Sequence, residues 1–330
     1  MIGTVLDDMV APETAGDPTS DQKWIRSSLR SLSQRMGDAG HPASPPTVGR
    51  LLEDLGYSLK VNVKTKTGED HPDRNKQFEH IEAQVQAFQA AGWPIISVDT
   101  KKKELIGDFK NDGQAWCQEP EYVNAHDFRS DAIGRAVPYG IYDMIHNRGY
   151  VYVGHSADTP RFVEDAISAC WRDEVSKAFP QGSPLLILTD AGGSDGYRPR
   201  VWKQQLQEQL SDQFGIAVTV CHYPTGCSKW NPIEHRLFSH ISINWAGKPL
   251  RTFDIMLAYI RGTETTTGLT VKASLLEGVY EKGQRVSDAE MKTLNLERHE
   301  ICPKWNYTIR PRSDTAPNTQ KQRPNQEVVF

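Results

Sequence analysis

The stretch Pro94-Ile95-Ile96-Ser97-Val98-Asp99 decides the fold, because a short, largely apolar run is typical of a strand buried inside a sheet. A second run of the same kind, Leu185-Leu186-Ile187-Leu188-Thr189-Asp190, also ends in an aspartate. In a sheet flanked by helices, the carboxyl ends of neighbouring strands form a crevice in which ligands bind. The two stretches therefore predict a buried sheet with Asp99 and Asp190 at one edge.

Three further strands complete the predicted sheet, over residues 139–144, 149–154 and 216–221. The predicted helices cover residues 160–179 and 198–214, and others run from Phe78 to Gly92 and from Pro232 onward. Three adjacent strands followed by alternating helices and strands are typical of a ribonuclease-H-like α/β fold. We therefore expect a mixed five-stranded sheet flanked by helices.

A small helical region is predicted ahead of the sheet. After residue 20, apolar residues at helical spacing predict a first helix, which Gly37 and Gly40 end. Ser44 is expected to cap a second helix, with Arg50 on its outer face. Two short helices joined by a tight turn suit a helix-turn-helix DNA reader, and a generic helical hairpin is the structural alternative.

Charge is unevenly distributed along the chain. The formal net charge is −4, yet residues 23–66 carry eight Lys and Arg against three acids. Lys60 and Lys64 belong to this basic segment, and we expect them to contact DNA phosphates. The predicted organisation is an acidic, irregular N-terminus, a helix-turn-helix region with its linker, an α/β domain and an irregular tail, over residues 1–20, 21–70, 71–312 and 313–330.

The composition excludes several classes of protein. Of the 330 residues, 38% are hydrophobic and 24% are charged, which is ordinary for a globular protein. No apolar run approaches the length of a membrane span, and the N-terminus has no signal-peptide pattern, so we expect a cytoplasmic protein with no membrane contact. Five scattered cysteines predict neither a disulfide framework nor a structural zinc site.

A third carboxylate, Glu234, lies in Asn231-Pro232-Ile233-Glu234. It shares a helix face with Leu237, Phe238 and Ile241 that should turn inward, where a carboxylate is costly unless it is paired or binds a metal. The structural alternative is a capping box, in which the side chains of Asn231 and Glu234 satisfy the first turn of the helix. Asp99 and Asp190 have an alternative too, because an aspartate after a strand often bonds to the following turn.

Taken together, these acids offer oxygen ligands without cysteine, which favours Mg²⁺ or Mn²⁺ over zinc. Two ions about 3.5–4 Å apart would act on both oxygens of a phosphoryl displacement. We expect Asp99 to bridge two ions, while Asp190 and Glu234 hold one each. Asp143 is a reserve candidate, with a structural role as the favoured interpretation.

Four lysines near these acids are candidates for DNA binding. Lys101, Lys102 and Lys103 follow Asp99 directly, and Lys229 precedes Glu234. We expect these lysines to contact the phosphates of DNA. A solvated run of charge is the structural alternative for the three consecutive lysines.

Six stretches carry a resemblance to a known family: SPPTVGRLLEDLGYSL (44–59), HPDRNKQFEHI (71–81), PIISVDTKKKELIGDFKNDG (94–113), LILTDAGGSDG (186–196), VCHYPTGCSKWNPIEHRLFSHISINWAGKPL (220–250) and KWNYTIRPR (304–312). In them the chain resembles the Rhodopirellula-type DDE transposases of bacterial insertion sequences. The resemblance implies a ribonuclease-H-like catalytic domain behind a helix-turn-helix region. It also implies metal-dependent cleavage and strand transfer of DNA, with Asp99, Asp190 and Glu234 as the catalytic acids.

The implied partners are the terminal inverted repeats of the element and its target DNA. Since two ends must be brought together, we expect at least a homodimer on DNA. The 43 residues between Asp190 and Glu234 exceed the spacing common among DDE enzymes. Family members usually carry further DNA-binding helices ahead of the first residue here, so an inactive or truncated DNA-binding derivative that no longer transposes is the alternative. A ribonuclease-H-like nuclease without strand transfer is a third reading.

Overall fold

The computed structural model describes residues 2–11, 14–16, 23–25, 27–59 and 71–312. The chain divides into two compact units, Met1–Thr67 and Gly68–Phe330. Within the described ranges, no helix has both the length and the apolar character needed to cross a membrane. Lys60, Lys64 and the predicted irregular tail over residues 313–330 lie outside the described residues.

In its described residues, the first unit contains α1 (Ile2–Val10), β1 (Thr14–Gly16), β2 (Lys23–Ile25), α2 (Leu29–Asp38) and α3 (Pro45–Asp54). The strands β1 and β2 pair antiparallel. Ser28 caps α2, and Ser44 caps α3 by accepting from the backbone N–H of Thr47, as the sequence predicts. The core of this unit consists of Leu6, Val10, Leu32, Met36 and Val48.

Two expectations for this unit are wrong in part. Residues 2–10 form a helix instead of an irregular segment, because Leu6 and Val10 lie one turn apart and are both buried. The first predicted helix begins later than expected, at Leu29, where the Ser28 side chain accepts from a backbone N–H. Residues 23–25, within the range expected to be helical, form β2 instead.

The second unit contains one sheet, built from β3 (Ile95–Thr100), β4 (Glu104–Ile106), β5 (Gly134–Asp143), β6 (Arg148–Gly154), β7 (Leu185–Asp190), β8 (Val218–Tyr223), β9 (Thr270–Leu276), β10 (Leu296–Arg298) and β11 (Asn306–Ile309). The strand order is β10-β11-β8-β7-β3-β5-β6-β9, and β4 pairs with β5. The strand β3 pairs antiparallel with β5 and parallel with β7, and β7 pairs parallel with β8.

This arrangement confirms the ribonuclease-H-like fold. The five predicted strands are β3, β5, β6, β7 and β8, and they occupy the centre of the sheet. The sheet is larger than predicted, because β9 pairs parallel with β6, β11 pairs antiparallel with β8, and β10 and β4 extend the edges. β4, β10 and β11 are only three or four residues long, which is too short for an alternating pattern to indicate a strand.

The helices of this unit are α4 (Arg74–Ala90), α5 (Pro160–Asp173), α6 (Arg200–Gln205), α7 (Asp212–Phe214), α8 (Ser239–Asn244), α9 (Phe253–Arg261) and α10 (Asp288–Lys292). A π-helical segment, Leu206–Ser211, connects α6 to α7, and a second one, Glu234–Phe238, leads into α8. Single 3₁₀ turns occur at Arg129–Asp131, Val175–Ala178 and Ser228–Trp230.

The two faces of the sheet pack against different helices. Ile96 of β3 lies in a cluster with residues of α5 and α6, whereas Ile95 packs with Leu188 of β7 against α4. Successive side chains of a strand point to opposite faces. Asp99 and Asp190 therefore lie on the same face as Ile95 and Leu188.

Two glycines bring the π-helical segment close to this face. A Cβ atom on Gly140 would lie 2.4 Å from Phe238, and one on Gly149 would lie 2.4 Å from Leu237. Both distances are shorter than van der Waals contact, so larger residues would push the segment away. Gly140 is also the partner of Asp99 in the β3–β5 register, which places Glu234 at the same edge as the two aspartates.

Candidate active site

Asp99 and Asp190 lie opposite each other on neighbouring parallel strands. The β3–β7 register pairs Ile95 with Leu186 and Ser97 with Leu188. Extending it by two residues places Asp99 beside Asp190. Both carboxylates line an open cleft of about 680 Å³ at the carboxyl ends of these strands.

Glu234 approaches the two aspartates from the π-helical segment that it begins. Its side chain is half-buried, and its charge acts on both Asp99 and Asp190. Glu234 does not line the open cleft itself. A π-helical turn is rare in proteins and frequent at functional sites.

Burial and mutual repulsion raise the pKa values of the aspartates of this site. Burial is the largest cause that raises the pKa of Asp99 well above its usual range, and repulsion from Asp195, Asp190 and Glu234 adds to it. Burial also raises the pKa of Asp190 to about 6, opposed by a hydrogen bond from Asn231. Like charges this close are stable only if a proton or a cation is shared among them.

Asp195 is a buried fourth carboxylate that the sequence reasoning missed. It lines the cleft, and one of its oxygens accepts from the Tyr139 hydroxyl at 3.0 Å. Burial raises the pKa of Asp195 to about 7, against the hydrogen bond from Tyr139. The available signal was its position five residues after Asp190 in the glycine-rich stretch LTDAGGSDG.

The proposed capping box at Asn231 does not form. The Asn231 amide oxygen accepts from the Ser97 hydroxyl at 2.5 Å, and the Glu234 N–H bonds to the Asn231 backbone oxygen at 3.1 Å. The Asn231 amide nitrogen donates to the Val98 carbonyl and to Asp190 Oδ1, both at 3.1 Å. Tertiary contacts with β3 and β7 therefore replace the local bond that the sequence pattern suggested.

The lysines of the Lys101–Lys103 run have three different environments along the cleft. Lys101 is largely buried with its ammonium 4.9 Å from the ring centroid of Trp245, and burial lowers its pKa. Lys102 is exposed and lies 3.3 Å from Asp112, while Lys103 pairs with Asp158 at 2.8 Å. Only Lys102 is therefore both on the rim and weakly held.

The other predicted DNA contacts are dispersed. Arg50 is exposed on α3 of the first unit, and Lys229 is exposed in a 3₁₀ turn beside Trp230. Arg135 of β5, which the sequence reasoning did not identify, is exposed and lines the cleft together with the three lysines. The arginine adds positive charge to the opening above the carboxylates.

Asp143, the reserve candidate, has a structural role. It is 2% exposed, and its carboxylate accepts from the backbone N–H groups of Ile145 and His146. Its second oxygen bonds to His146 Nδ1 at 2.8 Å. These bonds fix the turn between β5 and β6.

The side chains of the cleft are of the chemical type that binds divalent cations, but they are not arranged as a ready metal site. Among the described residues, no group of three or more His, Cys, Asp or Glu side chains is placed to hold a metal ion. The donors at this edge are carboxylate oxygens, which Mg²⁺ and Mn²⁺ prefer, and Mg²⁺ is often held by only one or two carboxylates. A cation would also relieve the repulsion that raises the pKa of Asp99.

Comparison with known proteins gives one match over nearly the whole chain. A family model described as the Rhodopirellula transposase DDE domain matches residues 5–311, a range that contains Asp99, Asp190 and Glu234. No curated protein matches the chain. The Mos1 transposase paired-end complex with left transposon end is similar at 12% identity and a TM-score of 0.40, over 76% of this chain and 67% of that chain. The Mos1 Strand Transfer Complex is similar at 11% identity and a TM-score of 0.41, over 78% and 68%.

Proposed function

We propose, since the chain belongs to the Rhodopirellula transposase DDE domain family, that it cuts DNA at the ends of an insertion sequence and joins those ends to new DNA. The observation that carries the proposal is the convergence of Asp99, Asp190 and Glu234 at one edge of the sheet, where their charges act on one another. A partly buried group of like charges is costly to maintain and is typical of a functional site.

In this proposal, Asp99, Asp190 and Glu234 would together hold the divalent cations. Bound Mg²⁺ or Mn²⁺ supplies Lewis-acid activation of the attacking oxygen and stabilises the leaving oxygen. The attacking group is water in the cutting step and a DNA 3′-hydroxyl in the joining step. Either way a phosphorus–oxygen bond forms as another breaks.

The protein's own cations orient the DNA backbone above the acids. Lys102 and Arg135 on the cleft carry charge that attracts phosphates. Lys101 is packed on Trp245 and receives attraction from Glu234, so it supports the site from inside. Lys103 is already paired with Asp158 and contributes less to DNA binding.

The first unit supplies recognition in this proposal. Helix α3 carries Arg50 on its exposed side and follows α2 after a short turn, as a helix-turn-helix reader would. Since two ends of an element must be held together, we propose that the protein works as a homodimer or larger assembly on DNA in the cytoplasm.

The proposal predicts metal-dependent nicking that requires Asp190. We expect the protein, in Mn²⁺, to nick a duplex carrying the terminal repeats of the flanking element at the repeat boundary. Asp190→Asn should slow nicking by about 10³-fold, because loss of a metal ligand removes several kcal/mol of transition-state stabilisation. Gel analysis of end-labelled duplexes gives the rates.

Asp254→Asn is the matched control, because Asp254 is exposed at the first turn of α9. This variant should nick at the wild-type rate. Binding without nicking would identify an inactive DNA-binding derivative, and nicking without preference for the repeats would identify a plain nuclease. Equal nicking by wild type and Asp190→Asn would contradict the assigned site.

A further inference from the structure

We propose that Asn231 is a positioning residue that orients the Asp190 carboxylate for binding a divalent cation. The inference rests on the proposed function, because it assigns a role within the same site. It concerns a residue that touches neither the DNA nor the reacting atoms. Asn231 contributes by fixing the direction in which the carboxylate oxygens of Asp190 point.

The contacts of Asn231 connect the elements that carry Asp99, Asp190 and Glu234. Its amide nitrogen donates to Asp190 Oδ1 at the end of β7 and to the Val98 carbonyl of β3, each at 3.1 Å. Its amide oxygen accepts from Ser97 Oγ at 2.5 Å. Ser97 Oγ in turn accepts from the backbone N–H of Ile233 at 3.0 Å, immediately before Glu234.

The environment of Asn231 leaves little freedom to this amide. The residue is fully buried, and both hydrogens and the oxygen of its side chain have partners. A buried amide that lost one of these bonds would leave a polar group unsatisfied, at a cost of about 1–3 kcal/mol. The amide plane is therefore fixed, and with it the position of Asp190 Oδ1.

An asparagine suits this position better than a charged donor. A lysine or arginine would neutralise Asp190 and compete with a cation for its oxygens. The neutral amide instead donates one hydrogen bond, which favours the ionised carboxylate against the effect of burial. Residues that hydrogen-bond to a metal ligand in this way commonly change metal affinity by about 10–100-fold when they are replaced.

Asn306 offers a matched control within the same unit. It is also fully buried, and its amide nitrogen donates to Gln77 Oε1 at 2.6 Å and to the Ile301 carbonyl at 2.8 Å. It lies on β11, two strands away from β7, and its hydrogen bonds involve no site carboxylate. A general loss of stability from removing a buried amide should therefore appear equally at Asn306.

The test measures Mn²⁺ affinity in the absence of DNA, by electron paramagnetic resonance of the free ion. The full chain is compared with Asn231→Leu, Asn306→Leu and Asp190→Asn, and melting temperatures are recorded on the same samples. We expect Asn231→Leu to weaken Mn²⁺ binding by about 10–100-fold, Asn306→Leu to bind as wild type, and Asp190→Asn to lose the site. If Asn231→Leu does not fold, Mn²⁺ affinity is measured on Asn231→Ser, which is a smaller change.

Two results would overturn the inference while leaving the proposed function in place. One is wild-type Mn²⁺ affinity in a folded Asn231 variant. The other is equal weakening by Asn306→Leu, which would mean that any buried amide has the same effect. If the wild-type chain bound no Mn²⁺ and nicked no DNA, the proposed function would fall and the inference with it.

Discussion

At the scale of single residues, the site combines burial with charge. Asp195 is 3% exposed and close enough to Asp99 to be the charged group that acts on it most strongly. Its pKa is raised from an ordinary value near 3.8 to about 7, with burial as the largest cause. A folded-state pKa above the unfolded value means that the folded state binds the proton more tightly. The stability that protonated Asp195 contributes to the folded state is fully present below about pH 4 and is lost as the pH rises through 7.

This shift predicts a pH-dependent effect of Asp195→Asn. Asparagine resembles the protonated acid and can still accept from the Tyr139 hydroxyl, so the variant should match wild type near pH 4. At pH 8 it should be more stable by about 3–4 kcal/mol, at about 1.4 kcal/mol per pH unit. Urea unfolding in EDTA measures both values. A constant difference for Asp195→Asn between the two pH values would contradict the assignment.

The same scale shows why some residues could be predicted and others could not. Asp99 and Asp190 each follow a short, largely apolar run, which is visible in the sequence alone. Asn231 was misread, because Asn-Pro-Ile-Glu is a good local capping pattern and nothing in it reveals Ser97 as the competing partner. Asp195 has no local signal of burial, since its partner Tyr139 lies 56 residues away in the sequence.

At the scale of elements, the close approach of the π-helical segment to β5 and β6 sets the position of Glu234. The five central strands could be predicted because each is a continuous apolar run. The β3–β7 register could not, because it depends on pairing between strands that are distant in the sequence. The π-helical form of Glu234–Phe238 could not be predicted either, since its side-chain pattern fits an ordinary helix equally well.

Because the π-helical segment lies so close to β5, we predict a strong effect of Gly140→Ala. The added methyl would lie 2.4 Å from Phe238, so the segment must move or the strand must bend. We expect a loss of about 1–3 kcal/mol in the free energy of unfolding, typical of an overpacked core. Nicking should fall as well, because Glu234 moves with the segment.

Gly37→Ala is the control, because a Cβ atom there would meet nothing within 4 Å and the residue lies in helix α2. It should be neutral or stabilising by about 0.5–1 kcal/mol. Thermal unfolding and the nicking assay compare the two variants. Wild-type stability and activity in Gly140→Ala would show that the close approach does not position Glu234.

At the scale of the whole molecule, the division into two units matches a division of proposed roles. The second unit contains the three candidate acids, Asp99, Asp190 and Glu234, and the first contains α3 with the exposed Arg50. Composition alone is a poor guide to this arrangement, because the net charge of −4 masks the basic segment over residues 23–66. The long motif stretches identified the family, whereas the placement of each acid needed the fold.

Strand transfer is the measurement that tests the central claim most directly, because the joining of ends separates a transposase from a plain nuclease that only cuts. A duplex that ends in a free 3′-hydroxyl at the repeat boundary is incubated with the protein, Mn²⁺ and a target plasmid. We predict joined products with wild type, and none with Asp99→Asn or with a duplex whose 3′ end lacks the hydroxyl. Joined products that persist with Asp99→Asn, or cutting with no joining under any condition, would contradict the account.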